Sequence, residues 1–371
     1  MHISDTLEIW LKTPPSELLK TGGDNFPFFS KYETFKHYLE TNLHKEVTKQ
    51  AIYQELISNK SRDQVIYLND HGPQHIKTVI NRASDLLNNG DNCKLNPREV
   101  FLLLNAIQVH DIGNFYGRSN HESKVLEAIG TGLTPILFDA VEANYVKSIA
   151  QVHGGKVKYK NGSEDKNTIT TIKNIVTSDG YTIRQQLLAS ILRFADELAD
   201  DRNRADLKTL NDGNMPKGSE IFHAYAGCLD TVKIVHEKST VELHFKIPKS
   251  YLKRTFGKIQ SDGTIKDFYL LNEIYERAIK MHTERIYCAK FWKSEIDLDK
   301  IWVQIEFYAN PVDGNFSEDE FEVPSDITFT LHDNQYSVIS NDIFKLCPDL
   351  IFSKDVPITG ENMLKKIEGK L

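Results

Sequence analysis

The feature that most constrains the fold of this chain is an almost uninterrupted apolar stretch that runs from Val100 to Gly113. Asn96 as N-cap and Pro97 in the first helical position predict where a helix begins, and Glu99 lies one turn further on. Gly113 is placed to end this helix. Because apolar residues cover nearly every side of it, we expect the helix to lie inside the molecule.

The last turn of this predicted helix carries His110 directly before Asp111. An ionised carboxylate is disfavoured there twice, by its apolar surroundings and by the negative end of the helix dipole. A neighbouring cation would remove the difficulty. The sequence leaves two candidates for that cation: an arginine, or a metal ion with His110 as a second ligand.

Composition and charge argue against several classes of protein. The 371 residues are 40% hydrophobic and 26% charged with a formal net charge of -7, as in an ordinary globular protein. Without a basic block, nucleic acid is not an expected partner. The four cysteines are scattered, which is typical of reduced thiols. We find no signal-peptide core at the start and no apolar run of transmembrane length. We therefore expect a cytoplasmic protein without a membrane contact.

Hydrophobic periodicity predicts a mainly α fold with an α+β C-terminal subdomain that contains a small antiparallel sheet. We expect an N-terminal helical segment over 1–65, a helical core over 66–214, and the α+β part over 215–371, acting as a lid, a regulatory element or an oligomer interface. The polar stretch 156–167 is expected to be a mobile loop. Helices are predicted near 76–87, 100–113, 138–153, 187–199 and 268–292, and strands near 230–235, 240–247, 301–309 and 327–331.

Several polar residues lie on or at the ends of apolar stripes in four of these helices. Taken singly, such histidines are most often structural or surface residues. Two carboxylates among them set this group apart, because independent core histidines would not need them. Imidazole with carboxylate suits Zn²⁺, Mn²⁺, Fe²⁺, Co²⁺ or Ni²⁺, and the lack of cysteine ligands favours a catalytic site over a structural one. The residues are His75, His110, Asp111, His153 and Asp196.

His75, the pair His110-Asp111 and the distant Asp196 resemble the H…HD…D signature of the HD superfamily of metal-dependent phosphohydrolases. The resemblance covers roughly residues 69–204. It implies a helical HD-domain bundle that holds one or two divalent transition-metal ions, or Mg²⁺, and that hydrolyses phosphate esters or anhydrides.

A second resemblance concerns the histidine spacing at the start of the predicted core. The segment from His71 to His75 is similar to the H-x-x-x-H of cyclic-nucleotide phosphodiesterases, which implies that His75 is a metal ligand and His71 a general acid. His121 and His153 fall where family members with two metals have further histidine ligands. The chain lacks an obvious G-Y-P motif after Asp196, in contrast to the branch specific for cyclic-di-GMP.

By this resemblance, the four signature residues would hold the first ion, and His121 with His153 would hold the second, with Asp111 bridging the two. Such ions lower the pKa of a bound water and polarise a phosphoryl oxygen. The expected catalytic residues are His71, Asp111 and His121. His71, whose ordinary pKa is near neutrality, would protonate the leaving oxygen.

Cationic and aromatic residues near these motifs are candidate substrate contacts, although each has an ordinary role in a surface or core as its alternative. The leading hypothesis is hydrolysis of a nucleotide such as a (deoxy)nucleoside triphosphate or monophosphate. The alternatives are a phosphodiesterase of cyclic nucleotides or oligonucleotides, and a sensor that binds a nucleotide without turnover. We expect a nucleotide or another phosphorylated small molecule as partner, and a homo-oligomer. The candidate substrate contacts are Lys77, Arg118, Lys156, Arg193 and Tyr116.

Overall fold

The computed structural model confirms a mainly α fold with an α+β C-terminal part. Its described residues pack into two compact units, the first drawn from 1–55, 70–199 and 288–296 and the second from 200–287 and 297–371. These units reflect packing, and the predicted boundaries at 65/66 and 214/215 stay a prediction. The structure describes residues 6–14, 18, 28–44, 72–88, 94–116, 121–122, 124–125, 140–178, 180–292, 295–309, 323–333, 342–353 and 355–371.

The first unit is built around one completely buried helix. Its described helices are α1 (Leu7–Lys12), α2 (Phe28–Leu39) with a π-turn (Glu40–His44), α3 (Pro73–Leu87), α4 (Pro97–Val109), α5 (Ala140–Ala150) and α6 (Gln185–Glu197). Every residue of α4 is buried, and α4 packs against the other five helices. The helix predicted from the apolar stretch is therefore confirmed as the centre of this unit.

The predicted start of α4 is confirmed in detail. The Asn96 side chain accepts the Glu99 backbone N–H at 3.0 Å, and Glu99 Oε2 accepts the Asn96 N–H at 3.1 Å, which forms a capping box. Its end differs from the expectation. The α-helix stops at Val109 and a 3₁₀ turn (Ile112–Tyr116) follows, so that Gly113 lies within that turn.

A buried ion pair joins α4 to α5. Arg98 Nη1 lies 3.1 Å from Glu142 Oε1, and these two side chains are 1% and 0% exposed. Lys31 on α2 reaches the other carboxylate oxygen of Glu142 at 3.1 Å. Because an unpaired charge is costly at such a buried position, these contacts fix three helices of the unit against one another.

The second unit contains a four-stranded sheet of strand order β10-β9-β6-β5, formed by β5 (Leu229–Val235), β6 (Thr240–Pro248), β9 (Lys300–Tyr308) and β10 (Asp326–His332). The strands predicted near 230–235 and 240–247 are confirmed as β5 and β6, which pair as an antiparallel hairpin. The sheet was expected to be antiparallel, whereas β6 and β9 pair in parallel. The long helix α9 (Leu270–Trp292) lies between them in the chain and supplies the crossover that a parallel pair needs.

Shorter elements complete the described structure. In the first unit the stretch 156–167, expected as a loop, forms the hairpin β1 (Val157–Lys158) and β2 (Glu164–Asp165), and a second unpredicted hairpin pairs β3 (Ile175–Ser178) with β4 (Tyr181–Arg184). The strands of the first hairpin have two residues each and those of the second have four, which is too short for a periodic pattern to stand out in the sequence. The second unit adds α7 (Leu207–Asn211), α8 (Glu220–Cys228), β7 (Phe256–Ile259), β8 (Ile265–Phe268), α10 (Ile343–Leu346), β11 (Ile351–Ser353), β12 (Val356–Pro357) and α11 (Gly360–Ile367).

No helix in the described part of the chain has both the length and the apolar character needed to cross a membrane.

The stability of the second unit should depend on pH through His282 on α9. Burial, followed by the nearby Arg285, lowers the pKa of His282 to about 4, and Arg285 Nη2 donates to His282 Nδ1 at 3.4 Å. Since the unfolded chain binds a proton near pH 6.5 and the folded chain does not, His282 makes the folded state less stable as the pH falls from 6.5 to 4. The full loss is about 3 kcal/mol at 1.36 kcal/mol per pKa unit.

Denaturant unfolding of the wild type and of His282→Asn at pH 7 and pH 4.5 checks this expectation. Asparagine keeps an acceptor for Arg285 but does not titrate, so the wild type should lose more stability than the variant on acidification. An equal loss in the two proteins would show that His282 does not act in this way.

Candidate metal centre

Four side chains from three helices meet at one end of α4. His75 lies in the first turn of α3, His110 and Asp111 directly follow α4, and Asp196 lies in the last turn of α6. His75 Nε2 is 3.2 Å from Asp196 Oδ1 and 3.5 Å from Asp111 Oδ2. His110 Nε2 is 3.5 Å from each of the same two oxygens. The four residues of the predicted signature therefore form one cluster.

A second cluster lies on the other side of Asp111. His121 Nε2 is 3.1 Å from Asp111 Oδ1, and His153 Nε2 is 3.9 Å from the same atom. The two oxygens of a single carboxylate thus face two different pairs of histidines. Asp111 and all four histidines are buried.

Backbone contacts fix the rings of two of these histidines. His110 Nδ1 lies 2.7 Å from the carbonyl oxygen of Ile107, and His153 Nδ1 lies 2.6 Å from that of Ala150. A carbonyl oxygen can only accept, so Nδ1 carries the proton in both rings and donates it. In the neutral ring, Nε2 then presents a lone pair toward Asp111, as a metal ligand requires.

The carboxylates and the histidines perturb one another strongly. Burial lowers the pKa of His110, but Asp111 and Asp196 outweigh it and raise that pKa to about 9. Partial desolvation raises the pKa of Asp196, but the adjacent imidazoles of His110 and His75 hold it well below its usual value. Burial, followed by the charges of His110 and His121, lowers the pKa of His153 to about 4. A proton on His110 or on His121 therefore disfavours a proton on His153.

This donor set fits a divalent metal ion. The groups His75-His110-Asp111 and Asp111-His121-His153 each bring three ligand atoms within 4.8 Å of one another. His110 Nε2 is fully buried and has no hydrogen-bond partner of normal geometry among the residues that the structure describes. Such an atom is costly to bury unless something binds it. Imidazole nitrogen with carboxylate oxygen, and no thiolate, is the ligand set expected for a borderline or hard divalent ion.

Three of the predicted site residues fall where the structure gives no side-chain information. His71 and Arg118 lie outside the described residues, and Tyr116 is described only as part of the 3₁₀ turn. Their catalytic and substrate-binding roles stay predictions.

The other predicted substrate contacts are described. Lys77 is exposed on α3, and exposed Lys156 lies 3.2 Å from Glu164 across the β1/β2 hairpin. Arg193 on α6 is buried and its Nη1 donates to the carbonyl oxygen of Lys166 and to Thr168 Oγ1, both at 3.0 Å. Arg193 thus anchors the segment that follows the hairpin.

Two residues beside the cluster were not predicted as part of the site. Glu122 Oε2 lies 3.5 Å from His121 Nδ1, and Asn114 is buried in the turn that follows Asp111. Neither amide atom of Asn114 has a hydrogen-bond partner among the described residues. The position of Glu122 directly after His121 is the signal in the sequence that could have indicated it.

A comparison with protein-family models matches residues 65–253 to the family HD-CE, an HD-like family. The match covers just over half of the chain and extends past the predicted helical core through β6. None of the curated proteins compared with the chain matches it. The match does not itself show the H…HD…D signature, so the assignment of single residues to that signature stays a prediction. The extent of the match establishes that the chain belongs to the HD-CE family.

Proposed function

We propose that the protein is a metal-dependent phosphohydrolase that cleaves a phosphate ester or anhydride bond of a nucleotide, such as a (deoxy)nucleoside triphosphate or monophosphate. The observation that carries this proposal is Asp111, whose two oxygens face two separate pairs of buried histidines. Membership of an HD-like family supports metal-dependent hydrolysis as the general chemistry.

In this proposal the described side chains have distinct tasks. Asp111 belongs to both ligand sets. The first set is completed by His75, His110 and Asp196, and the second by His121 and His153. Divalent ions bound there supply charge stabilisation for a phosphoryl group and a water activated near neutral pH.

The exposure of the ligands favours one direction of substrate approach. The Asp196 side chain is 29% exposed, whereas those of His75 and His110 are 1% and 0% exposed. A phosphoryl group would therefore arrive on the side of Asp196.

The remaining roles come from the sequence and extend the proposal. His71 would protonate the leaving oxygen, since an imidazole of ordinary pKa can donate near neutral pH. Arg118, Lys77, Lys156 and Arg193 are the proposed phosphate contacts, and Tyr116 is the proposed base contact.

A hydrolysis panel on the Mn²⁺-supplemented chain tests the proposal. We expect release of triphosphate or inorganic phosphate from nucleoside triphosphates or monophosphates, and loss of that activity on addition of a chelator. Cyclic nucleotides and short oligonucleotides belong in the same panel. Turnover of those alone would favour the phosphodiesterase alternative, and nucleotide binding without turnover would favour a sensor. A metal-loaded protein that turns over neither class contradicts the proposal.

A further inference from the structure

The second ligand cluster depends on a close backbone contact at Gly113. A Cβ atom placed on Gly113 would overlap the carbonyl oxygen of His121, and would lie 2.8 Å from its carbonyl carbon and 3.2 Å from Lys124 Cβ. The obstacle is backbone, so it cannot rotate aside as a side chain can. Gly113 therefore has to be glycine because of this contact, and no positive φ angle is involved.

The contact sets the position of a metal-ligand candidate. Gly113 lies two residues after Asp111, in the turn that follows α4. With Gly113 against the backbone of His121, the His121 ring reaches to 3.1 Å from Asp111 Oδ1. A shift of the 121–122 segment by the size of a methyl group would break that approach. In the first cluster, His75 lies on α3 and Asp196 on α6, so these two side chains do not belong to the 121–122 segment and need not move with it.

Glu122 restrains the same ring from its other side. Glu122 Oε2 lies 3.5 Å from His121 Nδ1, and Glu122 Oε1 lies 3.0 Å from the Cβ position of Gly154, which directly follows His153. A carboxylate next to Nδ1 favours a proton on that atom, so that in the neutral ring Nε2 carries the lone pair that a metal ligand needs. The small glycine leaves room for the carboxylate beside the chain that carries His153.

Charge distinguishes the two clusters. Among the residues that the structure describes, the first cluster contains the carboxylates of Asp111 and Asp196, whereas the second contains the carboxylate of Asp111 with two histidines. Since affinity for a divalent ion rises with the number of charged ligands, an ion in the second cluster is held less tightly and depends more on exact geometry.

From these contacts we propose that Gly113 and Glu122 are positioning residues that determine whether the centre holds a second ion. Gly113 allows His121 to reach Asp111, and Glu122 holds the His121 ring with Nε2 directed at the shared carboxylate. This inference rests on the proposed metal-dependent function and concerns only its second ion.

Metal stoichiometry is the direct test. Wild type, Gly113→Ala and His121→Gln are equilibrated with Mn²⁺, freed of unbound metal and analysed for metal per chain, and electron paramagnetic resonance reports whether paired ions are present. We expect two ions and a coupled-pair signal in the wild type, and one ion without that signal in both variants. In the His121→Gln background, Gly113→Ala should remove no further metal, because its effect acts through His121.

Gly218→Ala is the matched control for the glycine substitution. A Cβ there would meet side-chain carbon atoms of Ile259 and Ile265 at 3.2 Å or more, and it lies in the second unit. It should retain two ions. Circular dichroism and thermal midpoints establish that each variant is folded.

Variants of Glu122 test the same inference even if Gly113→Ala does not fold. The Glu122 side chain is 19% exposed, so its removal should spare the fold. Glu122→Ala should weaken the second ion by about 10- to 100-fold, and Glu122→Gln should retain more of that affinity because its amide oxygen can still accept from Nδ1.

The outcomes separate this inference from the proposed function. A wild type with two ions, together with Gly113→Ala and Glu122→Ala variants that bind both ions as tightly, would overturn the inference and leave the function standing. A folded wild type that holds a single ion would also overturn it. A wild type that binds no metal at all would overturn both.

Discussion

Replacing Asp111 with asparagine is expected to remove both ions and to lower phosphohydrolase turnover by about 10³-fold. Asparagine has the shape of aspartate but lacks its charge, and one of its two terminal atoms is a donor that cannot bind a metal. Both histidine pairs face this one carboxylate, so a single substitution disturbs both clusters. Metal ions supply several kcal/mol of transition-state stabilisation, and each 1.4 kcal/mol is about a tenfold change in rate.

Elemental analysis and steady-state kinetics on the same samples check this expectation. The matched control is Asp85→Asn, which makes the same chemical change on α3, the helix that carries His75. Asp85 is exposed and lies 3.5 Å from Arg82 at the surface, so its replacement should leave metal content and turnover unchanged. Equal metal content in Asp111→Asn and wild type would contradict the assignment of Asp111 as a shared ligand.

Glu142→Gln is expected to give the largest loss of stability in the first unit, about 3–5 kcal/mol in the free energy of unfolding. The substitution removes the negative charge that lies 3.1 Å from the fully buried guanidinium of Arg98. It also removes a charge that contacts Lys31, but Lys31 is 30% exposed and can turn to water. Arg98→Met should cost less, because Glu142 keeps its ion pair with Lys31.

Chemical denaturation of the single and double variants separates these contributions. In Arg98→Met/Glu142→Met both charges are gone, so this protein should be more stable than Glu142→Gln. Glu164→Gln serves as a control for removing a surface carboxylate and should cause no measurable loss. A double variant as unstable as Glu142→Gln would show that shape, and not an unpaired charge, controls this contact between α4 and α5.

The sequence was most informative where a local rule acts on neighbouring residues. The N-cap of α4, its buried character and the β5/β6 hairpin follow from residues within a few positions of one another, and the structure confirms them. The ligand cluster could be predicted because His75, His110, Asp111, His153 and Asp196 each interrupt an apolar stripe. A polar group at such a position needs a partner, and these residues are near enough to serve one another.

The rest depends on contacts that no local pattern specifies. The parallel pairing of β6 with β9 joins residues far apart in the chain, such as Thr240 with Lys300, so alternation within either strand cannot reveal it. Gly113 was interpreted as a helix terminator, and only the distance to His121 shows its different role. Arg193 was predicted as a substrate contact because of its charge, whereas in the structure its Nη1 donates to the carbonyl oxygen of Lys166 and to Thr168 Oγ1.

The ends of α4 and α5 also bear on how quickly an ion is captured. His110 and His153 are each tied through Nδ1 to a carbonyl oxygen three residues earlier in the chain. These two rings therefore lose their rotational freedom during folding and not when the ion binds. Immobilising a mobile side chain on binding costs about 0.5–1.5 kcal/mol, and His110 and His153 avoid this cost. Capture should then be limited by the release of water from the incoming ion, with little rearrangement of the protein.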